Sequence, residues 1–286
     1  MAFVTVNGLR FHYVTGGNPQ GPWVTLSNSI ATDLELWRDQ LPALAERFRV
    51  LRYDQRGHGR TDVPPRPASF EELAADVAGL WDALGIESSA FVGISMGGIT
   101  GLALAAANPK RIARLVVCDA FVRSPPGFTA AWDQRIALAL ERGMEALAEP
   151  TLERWFHPDF LARKEASVAR IRHMILATPP RGFVACAHAL REFDFTGVLD
   201  RLLPPLLFVA GAQDGEIPKH LAEAAKRVPG VRSTVLEPAG HLANVEQPEA
   251  FTRAVLDFLV ARELQGARAS SEARPLHRSA NNGERT

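Results

Sequence analysis

The chain has 286 residues, of which 47% are hydrophobic, so it can bury the core of one large domain or two small ones. Basic and acidic residues number 32 each, which leaves a formal charge of zero and no basic surface to favour nucleic acid or an anionic membrane. No apolar run is long enough to span a bilayer, and the N-terminus lacks the pattern of a secretion signal. We therefore expect a cytoplasmic protein that acts on a small molecule.

The first 120 residues predict strands and helices in alternation. Asn7-Gly8 separates two β-type runs and is a strong hairpin signal. The predicted strands are 3–6, 9–14, 23–26, 50–53, 90–92 and 115–118. The predicted helices are 36–48, 70–84 and 99–107. Cys118 and Cys186 both lie in apolar stretches, and we expect them to be buried free thiols.

A block of purely helical pattern interrupts this alternation. It runs from Phe121 to about Leu203 and is broken by several prolines. Alternation then resumes with strands at 206–210 and 231–236 and helices at 218–228 and 246–264. Strand–helix alternation on both sides of a helical block predicts an α/β fold, with a mostly parallel sheet flanked by helices and an inserted helical cap.

The same pattern predicts how the chain divides. A core is formed by residues 1–120 and 204–264, and a helical cap by residues 121–203. The remaining segment, 265–286, is polar and has no helical period, so we expect a disordered tail.

Residues 90–107 combine an apolar run, the sequence Gly93-Ile94-Ser95-Met96-Gly97 and an alanine-rich run. This order predicts a buried strand, a very tight turn and a helix. The turn would hold Ser95 in a strained conformation in which the flanking glycines avoid a clash with the backbone. The pattern is that of a G-x-S-x-G nucleophile elbow, which exposes a serine hydroxyl at the N-terminus of a helix.

A serine nucleophile requires a base, and the base requires a group that orients it. His241 follows the last predicted strand, and Asp214 follows the preceding one, which gives the chain order Ser, Asp, His expected after such an elbow. Asp119, at the end of another buried strand, is an alternative acid. We expect structural or surface roles for the other histidines: His12, His58, His157, His173, His188, His220 and His277.

The transition state of ester hydrolysis also requires backbone N–H groups that bind the oxyanion. Met96, directly after the nucleophile, is the first candidate. Ser29, in the loop after the third strand, is the second, and the alternative for that loop is an ordinary polar turn. Asp54 and Arg56 are expected to form a structural pair that stabilises their own loop.

With these residues, the chain resembles the α/β-hydrolase fold family over roughly residues 3–264. Within that family it is most similar to the 3-oxoadipate enol-lactonases of the β-ketoadipate pathway. The resemblance depends on the segments 27–37 (SNSIATDLELW), 51–59 (LRYDQRGHG), 63–65 (VPP), 132–136 (WDQRI) and 241–248 (HLANVEQP). Ala31 and Ala243 stand where other residues are more usual in that subfamily.

The resemblance implies a lactone that carries a free carboxylate, hydrolysed without a cofactor or a metal. A cation in the substrate pocket would bind that carboxylate. Trp132 and Arg135 are three residues apart on a predicted cap helix and therefore project from neighbouring positions on one face. They are the candidate substrate-binding residues, and a core tryptophan beside a surface arginine is the alternative.

Other functions use the same residues. A general carboxylesterase or a cofactor-free haloperoxidase-like enzyme would have the same triad. A non-catalytic ligand-binding protein can also be built on this fold, although an intact triad argues against it. The sequence is compatible with a homo-oligomer but does not determine the oligomeric state.

Overall fold

In a computed structural model, residues 2–163, 165–201 and 204–261 are described. Eight strands in this part of the chain form one sheet, in the order β1-β2-β4-β3-β5-β6-β7-β8. The strands are β1 (Ala2–Val6), β2 (Leu9–Gly17), β3 (Trp23–Ser27), β4 (Arg49–Tyr53), β5 (Ser89–Ile94), β6 (Ile112–Cys118), β7 (Leu206–Gly211) and β8 (Arg232–Leu236). The pairs β1–β2 and β2–β4 are antiparallel, and all the others are parallel. This confirms the predicted α/β fold with a mostly parallel sheet.

Helices cover both faces of the sheet and fill the segment between β6 and β7. They are α1 (Leu41–Ala45), α2 (Phe70–Ala83), α3 (Met96–Ala107), α4 (Phe128–Arg142), α5 (Glu145–Trp155), α6 (Pro158–Ala162), α7 (Ala166–Ala177), α8 (Pro180–Arg191), α9 (Thr196–Leu199), α10 (Ile217–Ala225), α11 (Ala243–Glu246) and α12 (Pro248–Val260). Every residue of β5 and β7 is buried, as expected for parallel strands covered on both faces. We refer to α4–α9 as the cap.

Two predicted helices are interrupted. Residues 36–48 form a short 3₁₀ turn, Leu34–Trp37, and then the single turn of α1, which begins just before Pro42. The helix predicted over 246–264 is divided, because α11 ends at Glu246 and α12 begins at Pro248. In both places a proline stands at the start of the second helix, where its missing N–H costs no hydrogen bond. Residues 262–264 and the predicted tail, 265–286, lie outside the described residues.

The prediction that Asp54 and Arg56 pair with each other is wrong, because each side chain has a different buried partner. Asp54 accepts a hydrogen bond from His12 Nδ1 at 2.7 Å, and Arg56 donates to Asp76 at 2.6 and 2.8 Å. Both partners are distant in the sequence, so no local pattern identifies them. Cys118 and Cys186 are buried and free, as predicted. Among the described helices, none combines the length and the apolar character needed to cross a bilayer.

The cap meets the core at a very close contact between two glycines. Gly57, in the loop after β4, lies against Gly182 in the first turn of α8, and a Cβ atom on Gly182 would overlap the Gly57 carbonyl oxygen. Beside this contact, the N–H group of Ala68 donates to the carbonyl oxygen of Ala185 at 2.9 Å. The first turn of α8 is therefore held directly on the core.

Replacing Gly182 by alanine should destabilise the protein, because backbone atoms cannot move aside as a flexible side chain can. Forcing extra volume into a packed site costs about 1–3 kcal/mol, which in a chain of this size lowers the melting temperature by about 2–10 °C. Thermal unfolding followed by circular dichroism measures this. Gly197→Ala is the matched control, since a Cβ there meets nothing within 4 Å. Equal melting temperatures for the two variants would contradict the prediction.

Candidate active site

Ser95 lies at the sharp turn between β5 and α3. Its φ of 54° and ψ of −119° are strained for a residue with a side chain. A Cβ atom on Gly93 would overlap the carbonyl oxygen of Gly97, and one on Gly97 would overlap that of Ser27. The turn can therefore close only with glycine at both positions, which is the physical basis of the G-x-S-x-G pattern.

The side chains of Ser95, His241 and Asp214 form a continuous chain of hydrogen bonds. His241 Nε2 lies 2.8 Å from Ser95 Oγ, and His241 Nδ1 lies 2.8 Å from Asp214 Oδ2. Asp214 is in the loop after β7 and His241 in the loop after β8, at the carboxyl ends of parallel strands. With a proton on Nδ1, the imidazole donates to Asp214 and can accept the serine proton at Nε2.

Asp119, the alternative acid, directly follows β6, and among the described residues its side chain forms no hydrogen bond with His241. Its Oδ1 atom instead accepts the N–H group of Gly211 at 2.7 Å, and its side chain is completely buried. Burial and the nearby charge of Asp214 raise the pKa of Asp119 well above its usual range. Asp214 is the carboxylate within hydrogen-bonding distance of His241 Nδ1, so the geometry favours Asp214 as the acid.

The predicted oxyanion loop lies directly beside the elbow. Ser27 pairs with Gly93 across neighbouring parallel strands, which places residues 28–30 next to the nucleophile. Asn28 holds this loop in place, because its side chain donates to the carbonyl oxygen of Tyr53 at 2.9 Å and accepts from the Trp37 indole at 2.8 Å. Ser29 is buried. The loop is thus a fixed part of the site, and an oxyanion role for the backbone N–H groups of Ser29 and Met96 stays a prediction.

A cavity of about 440 Å³ opens above Ser95 between the sheet and the cap. It is lined by Ile30, Ser95, Ile99, Asp119, Ala120, Phe121, Pro125, Phe128, Trp132, Arg135, Arg154, Trp155, Leu190, Asp214, Gly215, Glu216, Ile217 and His241. The three side chains of the hydrogen-bonded chain and both predicted substrate-binding residues therefore share one cavity. A larger surface groove of about 860 Å³ lies between α1 and α12 and contains none of these residues.

Two guanidinium groups from the cap line this cavity. Arg135, on α4, lies over the Trp132 ring with its Cζ atom 4.7 Å from the ring centroid. Arg154, on α5, was not predicted from the sequence, because no motif or spacing connects it with α4. In the described part of the chain, neither guanidinium forms a salt bridge or a hydrogen bond with a protein group.

The electrostatics of this pair favour an anion. Burial and the charge of Arg135 lower the pKa of Arg154 to about 10, and the charge of Asp214 partly offsets this effect. Burial also lowers the pKa of Arg135. With its pKa near 10, Arg154 still carries a positive charge at neutral pH. Neither guanidinium is paired with a carboxylate of the described residues, so both can bind an anion that enters the cavity.

Trp155 is a second residue that sequence reasoning missed. Its indole ring stacks on the His241 imidazole, with the centroids 5.9 Å apart and the planes 25° from parallel. Its carbonyl oxygen accepts the backbone N–H group of His241 at 2.7 Å. The histidine is therefore held by the cap as well as by the core, a contact that depends on two segments far apart in the sequence.

The chain matches a family model for the alpha/beta hydrolase fold over residues 22–248. It is 34% identical to 3-oxoadipate enol-lactonase 2 of Acinetobacter baylyi, over 88% of this chain and 94% of that protein. It is also 32% identical to a putative carbamate hydrolase, RutD, of Caulobacter segnis, over 82% of this chain and 90% of that protein. Among solved structures, the enol-lactonase from Burkholderia xenovorans LB400 superposes with a TM-score of 0.87 and 38% identity, covering 91% of this chain and 100% of that one.

Proposed function

The chain belongs to the alpha/beta hydrolase family, and on this premise we propose that it is a serine-dependent hydrolase that opens a lactone carrying a free carboxylate. The observation that carries the proposal is the continuous hydrogen-bonded chain of Ser95, His241 and Asp214 in the cavity beneath the cap. The similarity to enol-lactonases supports 3-oxoadipate enol-lactone as the substrate.

In the proposed reaction, Ser95 Oγ attacks the lactone carbonyl carbon while its proton moves to His241 Nε2. The resulting oxyanion is bound by the backbone N–H groups of Met96 and Ser29. The ring C–O bond then breaks, and the leaving enol oxygen takes the proton from Nε2, which leaves an acyl group on Ser95. Water attacks this ester, again with His241 as the base, and releases the second carboxylate and the free serine.

The substrate carboxylate is proposed to bind at the cap end of the cavity. Arg135 supplies a guanidinium whose position is held by the Trp132 ring, and Arg154 supplies a second one from α5. Because both come from the cap and the nucleophile comes from the core, a substrate that reaches both would span the cavity. Binding at its far end would then orient the lactone carbonyl toward Ser95.

A carbamate hydrolase is the second candidate, because relatives described in those words are nearly as similar to this chain as the enol-lactonases. The same nucleophile and base would attack a carbamate carbonyl. A panel of purified substrates separates the candidates: the enol-lactone, a small carboxylate-bearing carbamate, and neutral esters of similar size. The proposal expects the highest kcat/KM for the enol-lactone. Equal rates for neutral esters would indicate a general carboxylesterase, and no turnover of any substrate would favour a ligand-binding protein.

Replacing Arg135 by alanine should weaken hydrolysis of the carboxylate-bearing lactone selectively. A charge-assisted hydrogen bond contributes about 1.5–3 kcal/mol, so kcat/KM for the lactone should fall by about 10- to 150-fold. Hydrolysis of a neutral ester should barely change, because that substrate makes no such contact. Steady-state kinetics with both substrates measures the difference.

Arg142→Ala is the matched control, because Arg142 is an exposed arginine in the last turn of the same helix. An equal loss for both substrates in the Arg135 variant would show that the arginine is structural. If neither substrate is hydrolysed more slowly, either the carboxylate binds elsewhere in the protein or the natural substrate has no carboxylate.

A further inference from the structure

The loop that carries His241 is held against the cap by a buried carboxylate. This loop, residues 237–242, connects β8 to α11 and is called the histidine loop below. Glu246, the last residue of α11, is 7% exposed. Its Oε1 atom accepts the N–H group of Gly240 at 3.1 Å and that of His157 at 3.0 Å. One oxygen atom therefore joins the residue before His241 to the junction between α5 and α6.

Direct contacts between the histidine loop and the cap lie beside this bridge. The His241 N–H group donates to the carbonyl oxygen of Trp155 at 2.7 Å, and the two rings stack. Gly240 lies so close that a Cβ atom there would be 2.6 Å from the same carbonyl oxygen. On the side of the core, Gln213 accepts the N–H group of Ala239 at 2.7 Å. The loop is thus fixed between the loop that carries the acid and the end of α5.

From this geometry we propose that Glu246 is a positioning residue that sets the orientation of His241 by joining the histidine loop to the α5–α6 junction. The proposal deepens the function given above and rests on His241 being the base for Ser95. Arg154 and Trp155 are consecutive at the end of α5, so the same junction carries one of the two cavity guanidiniums. The bridge therefore keeps the proposed carboxylate site and the catalytic base at a constant separation.

The role of Glu246 is to accept hydrogen bonds, and it does not depend on a negative charge. Burial raises the pKa of Glu246, while the two backbone N–H groups, His157 and Arg163 partly offset that shift. A neutral side chain with an oxygen at the same position would satisfy the same two donors. Glutamine provides that oxygen, and alanine leaves both N–H groups without a partner.

Glu246→Ala should therefore lower kcat about 10- to 100-fold with KM changed less than about twofold, since small displacements of a catalytic group cost rates of this order. Glu246→Gln should stay within about threefold of wild type, because its amide oxygen still accepts both hydrogen bonds. These rates are measured with a neutral ester, so that a change in carboxylate binding cannot contribute to the difference in kcat. Glu249→Ala, which removes an exposed carboxylate from the first turn of α12, is the matched control.

Gly240→Ala tests how closely the histidine loop must approach the end of α5, without removing a polar group. Gly240 is not one of the glycines with positive φ, so its alanine variant changes the spacing to Trp155 without adding backbone strain. We expect kcat to fall as in Glu246→Ala. Gly197→Ala, where the added methyl group meets nothing within 4 Å, should keep the wild-type rate.

Hydrogen exchange of the His241 amide provides a readout independent of catalysis. Exchange should be faster in Glu246→Ala than in wild type and unchanged in Glu246→Gln. The positioning role is overturned if Glu246→Ala keeps both the wild-type kcat and slow exchange, or if glutamine is as damaging as alanine. Failure of the proposed function would look different: wild type would hydrolyse no substrate, while exchange would still report whether Glu246 holds the loop.

Discussion

Replacing Ser95 by alanine should abolish hydrolysis and leave the fold intact. The hydroxyl group is the proposed nucleophile, and its hydrogen bond is to His241 Nε2 at 2.8 Å and not to a group of the core. Loss of the nucleophile in a serine protease lowers kcat on the order of 10⁶-fold, and we expect a loss of similar size here. Steady-state hydrolysis of the lactone and of a neutral ester measures it.

Covalent labelling tests the same residue directly. A fluorophosphonate should add one adduct to the wild-type protein, observed by intact-mass spectrometry, and none to Ser95→Ala. Ser233→Ala, which alters an exposed serine on the edge strand β8, should be labelled like wild type. An adduct on the Ser95 variant, or activity that survives the substitution, would show that the nucleophile is another residue.

Replacing Asp214 by asparagine should lower kcat by about 10⁴-fold, the size found when the triad aspartate of a serine protease is replaced in this way. An asparagine amide favours the wrong imidazole tautomer and carries no charge to stabilise the imidazolium. The hydrogen bond from His241 Nδ1 to Asp214 Oδ2 at 2.8 Å is the contact affected. Single-turnover and steady-state rates together separate this loss from a change in substrate binding.

Asp119→Asn is the matched comparison, because it makes the same chemical change at the alternative acid. Burial and the charge of Asp214 raise the pKa of Asp119, which means that a negative charge at this position is disfavoured, and asparagine has the same shape without the charge. Its amide oxygen can still accept the Gly211 N–H group. We expect a loss of less than about tenfold, close to the cost of one perturbed hydrogen bond. The reverse ranking would make Asp119 the acid of the triad.

The fold and the three residues of the hydrogen-bonded chain, Ser95, His241 and Asp214, could be predicted because each leaves a local pattern. The elbow needs glycine at 93 and 97 for reasons that are visible in five consecutive residues, and Asp214 and His241 each follow a recognisable strand. The alternation of apolar strands with helices likewise predicts a parallel sheet that is covered by helices on both faces. These features depend on neighbours in the chain, so they are readable without a structure.

Contacts between distant segments were decided only by the tertiary structure. The end of α5 packs on the histidine loop, and this brings Arg154, Trp155 and Glu246 to the site. The two segments are more than 80 residues apart in the sequence and are joined by the hydrogen bond between Glu246 and His157. For the same reason the partners of Asp54 and Arg56 could not be inferred from their own loop. A hydrogen bond or ion pair needs only proximity in space, and the packing that brings such groups together leaves no periodic signal along the chain.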